Sequence, residues 1–521
     1  MGTVVSLTFS LIQWIAIILF IILTYELLRL LVVTFFKRRF IKSVTSFLRK
    51  HQVRFDQYKL TNKLIIKDQI LHDWEVTQKI LEESREKSIP YEEAREMADR
   101  YIDEIVPTFN LLSYYKFGFA IARFILRSLY EVVIDEDGRD LVRDIPEDAL
   151  VVYVMNHRSN LDYVVVTYML AENISISYAV GEWARVFPLD ALFKSFGAYF
   201  VRRNFRSPLY HAILKKYVQL ISANRVTQGI FLEGGLSRDG TFRRPKTGLL
   251  DYILTARSEE GESLNVVFVP VGINYDWILE DRTLVREWKE GKTTMTLKDH
   301  MRSLITILLK SPYLLVANGL RLLTGRMKEH GYISVKYGHP VALRSLVEST
   351  SFYQSEAYDG RRDELKNVGK ELLQYIGEVI PVTPVALLSY TLVQIGAATV
   401  SKKRCLRVMT DLLEKLEENG AELMMGEEYK SQLAIRMNLD SERWFRKREL
   451  VDFEEDLLKG DEIEKTLQLG VEILHRRKFI KVDSKSISII ESKRSYLEYY
   501  ANTIRHYLKQ SHPGKVTTET L

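Results

Sequence analysis

The chain has 521 residues, enough for two or three domains with a sizeable buried core. Its single cysteine, Cys405, excludes an intrachain disulfide and a cysteine-rich zinc site, as expected in a reducing cytoplasm. The net charge of +6 is a mild excess, and the sequence has no RNA-binding signature, P-loop or G-x-G-x-x-G motif. Neither a nucleic-acid partner nor a nucleotide cofactor is therefore expected.

The first predicted element is an apolar helix that we expect to span a membrane. Residues 7–23 carry no charge, and residues 3–25 supply the ~20 apolar residues that a bilayer core requires. The basic segment 37–42 follows directly, so the positive-inside rule places the remaining chain in the cytoplasm. The alternative is a long apolar helix that packs on the protein or lies in the interface. Residues 1–42 are thus predicted to be an anchor on the cytoplasmic face of a membrane, the inner membrane if the protein is bacterial.

Residues 43–146 are predicted to form a helical, charged N-terminal region. Residues 91–105 follow Pro90 with the apolar spacing of an amphipathic helix. Residues 111–130 are more apolar and rich in aromatic side chains, which suits either a membrane surface or ordinary core packing.

Residues 147–345 alternate between apolar strand-like runs and helical patterns, which predicts an α/β domain with helices on the sheet faces. Strands are predicted near 149–155, 174–180, 197–201, 230–233, 266–271 and 332–341. Helices are predicted near 161–171, 184–196 and 208–224.

Residues 346–521 are predicted to be a helical C-terminal domain. An apolar helix is expected over 384–400, and an amphipathic helix over 402–419. The apolar stripe of the second helix is more typical of core packing than of a cofactor site. It consists of Leu406, Met409, Leu412, Leu413 and Leu416.

The strongest chemical signal is a histidine and an aspartate just after the first strand of the α/β region. His157 would be mostly neutral at cytoplasmic pH, because an unperturbed imidazole has a pKa of ~6.5, and it could take a proton from a hydroxyl. Asp162 lies five residues on, where it could hold the ring in one tautomer and stabilise the imidazolium. The alternative is a capping histidine beside a first-turn aspartate.

Three further blocks place charged or glycine residues at strand ends. The run 197–203 ends in Arg202 and Arg203, whose guanidinium groups suit bidentate binding of phosphate. The run 231–238 carries a carboxylate, two glycines, a serine and an arginine: Glu233, Gly234, Gly235, Ser237 and Arg238. The glycine amides could line a phosphate or an oxyanion, or simply form a tight turn. The fourth block, 266–276, is an apolar strand that contains Pro270.

The order and spacing of the four blocks resemble the glycerolipid acyltransferases with the H-x-x-x-x-D signature. The match is nearest to the branch that acts on glycerol 3-phosphate and dihydroxyacetone phosphate. Residues 245–250 and 499–504 resemble further segments of the bacterial-type members. The resemblance implies a mixed sheet flanked by helices, with the site at one end of the sheet. One departure is Leu236, where many members have an arginine, which leaves Arg238 alone for the phosphate work of that block.

The function implied by this resemblance is acyl transfer from acyl-CoA or acyl-carrier protein to the primary hydroxyl of glycerol 3-phosphate, giving lysophosphatidate for phospholipid synthesis. His157 would be the general base and Asp162 its orienting partner. The residues implied to bind the acceptor are Arg202, Arg203, Glu233, Gly234, Gly235, Ser237, Arg238 and Lys246. No metal and no cofactor beyond the acyl donor is expected. The alternatives are acylation of dihydroxyacetone phosphate or lysophosphatidate, and an inactive lipid-binding or membrane-tethering protein.

Overall fold

The computed structural model describes residue 24 and most of the chain from residue 63 to residue 508. The described ranges are 24, 63–107, 119–135, 138, 140–170, 176–181, 193–194, 197–202, 205–258, 260–291, 330–347, 360–425 and 451–508. All except residue 24 belong to one compact unit, Asp56–Ala171 with Ser175–Leu521. No helix among these residues is long and apolar enough to cross a membrane. The anchor predicted over 1–42 lies, apart from residue 24, outside the described residues.

A mixed sheet forms the centre of the described structure. Its strands are β1 (Glu131–Ile134), β2 (Leu150–Met155), β3 (Ser177–Gly181), β4 (Tyr199–Val201), β5 (Gln228–Phe231), β6 (Val266–Tyr275), β7 (Tyr332–Tyr337) and β8 (Val341–Ala342). Their order is β1-β7-β6-β2-β5-β3-β4, with β8 paired beside β6. The run from β6 to β4 is parallel, whereas β7 and β8 are antiparallel to β6. The predicted α/β architecture with a mixed sheet flanked by helices is confirmed.

The helix predicted over 384–400 is wrong at its C-terminal end, because it stops at Ile395, where Gly396 caps it with φ 71°. The helices of the described residues otherwise begin and end close to the predicted positions where the two can be compared. They are α1 (Lys63–Leu71), α2 (Trp74–Lys87), α3 (Tyr91–Ile105), α4 (Phe119–Leu129), α5 (Asp162–Leu170), α6 (Pro208–Ala223), α7 (Gly248–Leu254), α8 (Asp281–Lys289), α9 (Leu343–Leu346), α10 (Arg361–Glu378), α11 (Pro384–Ile395), α12 (Lys402–Glu418), α13 (Val451–Arg476) and α14 (Arg494–Asn502). The described residues also include the short 3₁₀ turns Leu141–Asp144, Glu491–Lys493 and Arg505–Leu508. The helix predicted over 184–196 lies mostly outside the described residues.

Local sequence explains where the clearest helices start. Ser207 caps α6, because its side chain accepts a hydrogen bond from the amide of Tyr210, and Pro208 occupies the first turn. Ser401 caps α12 in the same way through the amide of Arg404. These are features that a single sequence displays, so the predicted starts were accurate.

The central strands are buried on both faces. All six residues of β2 and all ten of β6 are buried, as expected for parallel strands covered by helices on both sides. One apolar cluster joins alternate residues of β2 to side chains of α1, α2, α3, α6 and α10. Pro270 fits inside β6 because it lies between the stretch that pairs with β8 and the stretch that pairs with β7. Proline has no amide hydrogen to donate, but at this position no hydrogen bond to β7 or β8 is lost.

Two parts of the fold differ from the predicted helical regions. Strand β1 lies within 43–146 and pairs with β7, so the sheet begins before residue 147. The C-terminal region contains a small antiparallel sheet, in the order β10-β11-β9. Its strands are β9 (Thr399–Ser401), β10 (Ile480–Val482) and β11 (Ser486–Ile489). Strands of three or four residues are too short to show a two-residue periodicity, which is why the sequence did not predict them.

Candidate active site

The site lies at the edge of the sheet where the parallel strands have their carboxyl ends. His157 follows β2, Glu233 follows β5, Arg202 follows β4 and Asp276 follows β6. Because these strands run in the same direction, the loops that follow them meet at one edge. This edge is where open α/β sheets usually carry their ligand sites.

His157 and Asp162 form the centre of the site. His157 Nδ1 lies 2.8 Å from Asp162 Oδ2, and both side chains are buried. The same carboxylate oxygen accepts the backbone amides of Arg158 (2.7 Å) and Ser159 (3.0 Å), while the hydroxyl of Tyr275 donates to Oδ1. Since a carboxylate oxygen only accepts, Nδ1 carries the ring proton. Nε2 is then the nitrogen able to take a proton from a substrate.

Aromatic side chains fix the plane of the histidine ring. Phe231 stacks on it with ring centroids 4.3 Å apart, and Tyr163 meets it edge-on at 5.4 Å. Phe231 is the last residue of β5, so the ring is held by the strand next to its own. The imidazole is therefore oriented by packing as well as by its hydrogen bond to Asp162.

The third of the four sequence blocks, residues 231–238, is hydrogen-bonded to the backbone of His157. Glu233 Oε1 accepts the amide of His157 at 3.1 Å, and Oε2 accepts the amide of Arg243 at 2.8 Å. The amide of Ser237 donates to the His157 carbonyl at 3.1 Å. Burial raises the pKa of Glu233, although the nearby guanidinium of Arg158 and the two amide donors act in the opposite direction. Glu233 thus joins the first and third blocks into one loop assembly.

The glycine pair forms a turn that needs its first glycine. Gly234 has φ +64°, and a Cβ added there would lie 2.7 Å from Lys246 Cγ. Its amide donates to the carbonyl of Phe231 at 2.9 Å, which closes the turn. Gly235 is buried beside it, whereas the side chain of Lys246 is exposed.

The two predicted phosphate-binding arginines that the structure describes are both in ion pairs. Arg202 donates through Nε and Nη2 to Glu104 on α3, with its guanidinium carbon 4.6 Å from the centroid of Phe205. Arg238 Nε lies 3.2 Å from Glu287 Oε2 on α8. Arg203 lies outside the described residues. The structure therefore brings Arg238 to the loop around His157, and joins Arg202 to the N-terminal helices.

Three residues that the sequence did not single out also surround the site: Arg158, Tyr275 and Glu280. Arg158 is fully buried, donates to the Thr241 carbonyl at 3.3 Å and lies over the ring of Phe242 at 5.4 Å. The sequence feature that could have drawn attention to Arg158 is its position directly after His157. Tyr275 is the last residue of β6, and Glu280 lies five residues further along the chain.

Glu280 contacts the loop that joins His157 to Asp162. Its Oε2 accepts from the hydroxyl of Ser159 at 2.8 Å, and its Oε1 accepts the amide of Asn160 at 3.3 Å. Glu280 is buried, and burial raises its pKa to about 7. Across the described ranges, no group of three or more His, Cys, Asp or Glu side chains is arranged to hold a metal ion.

Comparison with known families finds two matches. Residues 141–274, which include the whole His157 loop and the third block, match the family model described as Acyltransferase. Residues 319–462 match the model described as Glycerol-3-phosphate acyltransferase C-terminal region. The chain therefore carries an acyltransferase domain.

Curated relatives agree with these matches. Proteins named glycerol-3-phosphate acyltransferase are 28% identical in Ectopseudomonas mendocina, over 65% of this chain and 40% of the relative, and 28% identical in Aeromonas hydrophila, over 56% and 34%. The chain spans at most about two fifths of the length of these relatives. The resemblance predicted from the four sequence blocks is confirmed.

A solved structure, the 1-acyl-sn-glycerophosphate acyltransferase of Thermotoga maritima, covers 54% of this chain and 82% of its own, with 17% identity and a TM-score of 0.29. That score is too low to support a structural argument.

Proposed function

We propose that this chain transfers an acyl group from an acyl thioester to the primary hydroxyl of glycerol 3-phosphate, with lysophosphatidate as the product. The observation that carries the proposal is the buried hydrogen bond between His157 Nδ1 and Asp162 Oδ2, 2.8 Å long, within residues 141–274. The names of the relatives support glycerol 3-phosphate as the acceptor. The donor is either acyl-CoA or acyl-carrier protein.

In the proposed mechanism, His157 acts as general base. Nε2 takes the proton of the acceptor hydroxyl while the hydroxyl oxygen attacks the thioester carbonyl carbon. Asp162 stabilises the imidazolium, because its carboxylate stays bonded to Nδ1 throughout. The tetrahedral intermediate then expels the thiolate, and the imidazolium returns a proton to the thiolate or to water.

The oxyanion requires donors close to the reacting carbon. The Gly234 amide is already used in the turn to Phe231, so we assign the Gly235 amide to the oxyanion or to the acceptor phosphate. Ser237 is a second candidate on the same loop. Its hydroxyl donates to the Thr241 carbonyl at 2.7 Å, which would have to be exchanged for a substrate oxygen.

Among the basic residues, Arg238 is our primary candidate for the acceptor phosphate. It follows Ser237, whose amide is bonded to the His157 carbonyl, so its position is tied to the base. Lys246 is an exposed secondary candidate, and Arg203 stays a prediction from the sequence. We assign Arg202 a structural role through Glu104, since a bidentate ion pair already uses its guanidinium.

A membrane location is also part of the proposal. Lysophosphatidate partitions into a bilayer, and residues 1–42 have the composition of an anchor that would place the enzyme on the cytoplasmic face. Dihydroxyacetone phosphate and lysophosphatidate are the alternative acceptors. An inactive lipid-binding protein is the alternative outside enzymes, and the bonded His157 and Asp162 favour an enzyme instead.

The deciding experiment uses the purified full-length protein in detergent, with labelled acyl-CoA or acyl-carrier protein as donor. Glycerol 3-phosphate, dihydroxyacetone phosphate and lysophosphatidate are offered in turn, and glycerol 3-phosphate is expected to be acylated fastest. His157→Ala should lose about 10²–10⁴-fold in kcat, the usual contribution of a general base. His72→Ala is the control, because that histidine is exposed on the surface of the N-terminal helices. Full activity of the His157 variant, or no turnover with any acceptor, would contradict the proposal.

A further inference from the structure

A C-terminal tyrosine is bonded to the loop that follows β6. Tyr500, on α14, donates its hydroxyl hydrogen to Asp281 Oδ2 at 2.7 Å. The same hydroxyl oxygen accepts the amide of Ile278 at 3.0 Å and Nη1 of Arg477 at 2.7 Å. Tyr500 is fully buried, so it contacts the loop at two positions where water is excluded.

Arg477 holds the same loop from a second direction. It forms an ion pair with Asp281, and both side chains are buried. Its guanidinium carbon lies 4.4 Å from the ring centroids of Trp277, in the loop, and of Phe479. A buried charge is tolerated only when it is paired and hydrogen-bonded, so the geometry of this cluster is tightly constrained.

Glu280, which precedes Asp281 in the chain, connects this buried cluster to the loop that carries the proposed base. Glu280 accepts the Ser159 hydroxyl at 2.8 Å and the Asn160 amide at 3.3 Å. The Ser159 oxygen in turn accepts the amide of Leu161 at 3.1 Å. The segment between His157 and Asp162 is thus held at its middle by Glu280.

We propose that Glu280 is a positioning residue for the His157–Asp162 pair, and that Tyr500 and Arg477 of the C-terminal segment fix Glu280 in place through Asp281. The inference rests on the proposed function, since it requires His157 to be the base. Glu280, Arg477 and Tyr500 all lie outside the residues that either family model matches. In this proposal the C-terminal segment supports the catalytic pair, and none of these three residues is assigned a contact with a reacting atom.

The competing explanation is that the cluster only stabilises the fold. A comparison with the neighbouring tyrosine, Tyr499, distinguishes a positioning role from a purely structural one. Tyr499 is as buried as Tyr500, but its hydroxyl has no hydrogen-bond partner among the described residues. Tyr499→Phe and Tyr500→Phe therefore remove the same atom from adjacent buried sites. Only the second substitution breaks contacts to Asp281 and Ile278.

The test measures kcat, KM for glycerol 3-phosphate and the melting temperature of full-length variants in detergent. Tyr500→Phe is expected to lower kcat by about tenfold or more and to leave KM within about twofold, because misplaced catalytic groups slow the chemical step. Glu280→Gln should do the same, since an amide keeps the shape but offers one acceptor oxygen in place of two. Tyr499→Phe should match the wild-type protein in kcat.

A double-mutant cycle tests the route through Ser159. If Glu280 acts through the Ser159 hydroxyl, Ser159→Ala combined with Glu280→Gln should lose little more than the worse single variant. If the fold-losses in kcat of the two single variants instead multiply in the double variant, Glu280 does not act through the Ser159 hydroxyl. Equal kcat values for Tyr500→Phe and Tyr499→Phe, or a change confined to KM, would overturn the inference as a whole.

These results are distinguishable from failure of the proposed function. An active His157→Ala variant refutes the general base, whereas an inactive one with a fully active Tyr500→Phe variant refutes only the positioning role. If Tyr500→Phe does not fold, Glu280→Gln and the Ser159 cycle carry the test, because both leave the buried Arg477–Asp281 ion pair intact.

Discussion

Arg202 and Arg238 illustrate how much a side chain's role depends on its partner. Arg202→Ala would leave the buried carboxylate of Glu104 without its bidentate partner. We expect a stability loss of about 1.5–3 kcal/mol, the contribution of hydrogen bonds to a charged group, with an unchanged KM for the acceptor. Chemical denaturation and steady-state kinetics measure the two effects, and Glu104→Gln should give the same pattern. A raised KM for the arginine variant alone would return Arg202 to the phosphate site.

Arg238→Ala is expected to behave differently. Loss of a charge-assisted contact of about 1.5–3 kcal/mol should raise the KM for glycerol 3-phosphate by about tenfold or more. The matched control is Glu287→Gln, which breaks the same ion pair but keeps the guanidinium. If both variants raise KM equally, Arg238 acts by supporting α8, and Lys246 becomes the next residue to test.

Glu280 gives the stability of the protein a pH dependence. Burial raises its pKa to about 7, whereas an unfolded chain releases that proton near pH ~4.3. The folded protein therefore keeps this proton up to a higher pH than the unfolded chain does. This contribution to stability is complete below pH ~4 and is lost as the pH rises towards 7, by up to about 1.4 kcal/mol per pH unit.

The measurement is urea denaturation of wild-type and Glu280→Gln protein at pH 5, 6, 7 and 8. The wild-type free energy of unfolding should fall relative to that of the variant as the pH rises. Glu96→Gln, at an exposed position on α3, should instead run parallel to the wild type. A parallel curve for Glu280→Gln would show that the carboxyl is already ionised at pH 5.

Among the elements, the loop of the third block depends on its close approach to α14. Gly240 has φ +84°, and a Cβ there would lie 2.0 Å from the carbonyl oxygen of Tyr499. Asn502, also on α14, donates to the Asp239 carbonyl at 2.8 Å. The loop and the helix are thus in direct backbone contact, which leaves no space for a side chain.

Gly240→Ala is expected to lower both the melting temperature and kcat. Part of the loss, about 1–2 kcal/mol, comes from the positive φ alone, and the remainder from displacement of α14. Gly261→Ala isolates the first part, because Gly261 has φ +82° with nothing within 4 Å of its added Cβ. Thermal unfolding of both variants checks the prediction. If the melting temperature falls equally in Gly240→Ala and Gly261→Ala, displacement of α14 contributes nothing to the loss of stability.

At the scale of the molecule, the helices described from residue 63 onward, the sheet and the C-terminal helices belong to one compact unit. Helices α2 and α3 pack against α6, and α11 packs against α12, α13 and α14. The C-terminal helices reach the active-site edge through Tyr500 and Asn502. Removal of the C-terminal region is therefore expected to disturb the site itself rather than to release an independent domain.

Deletion of residues 1–36 is expected to weaken membrane association and to leave His157-dependent activity on a soluble short-chain donor. Each Leu, Ile or Phe near a bilayer centre favours insertion by about 0.3–0.6 kcal/mol, so the uncharged segment 7–23 contributes several such increments. Fractionation with an alkaline carbonate wash compares full-length and truncated protein. If the full-length chain washes off as readily, the segment does not span the bilayer. Some residual binding is expected if residues 111–130 contact lipid.

The sequence by itself determined the features that depend on near neighbours in the chain. The buried strands appear as continuous apolar runs, and α6 and α12 start at serine caps. The pair of His157 and Asp162 is also local, because the five-residue separation spans one turn between the end of β2 and the start of α5. Such features follow from backbone periodicity and capping, which any short stretch of sequence displays.

Only the tertiary structure decided which distant groups meet at the site. Arg202 meets Glu104 across 98 residues, Ser159 meets Glu280 across 121, and Tyr500 meets Asp281 across 219. Periodicity reports which face of an element is apolar, but it does not report which element covers that face. The partners of these polar groups are set by the order of the strands and by the packing of the C-terminal helices, because a buried polar group must bond to whatever the fold places beside it.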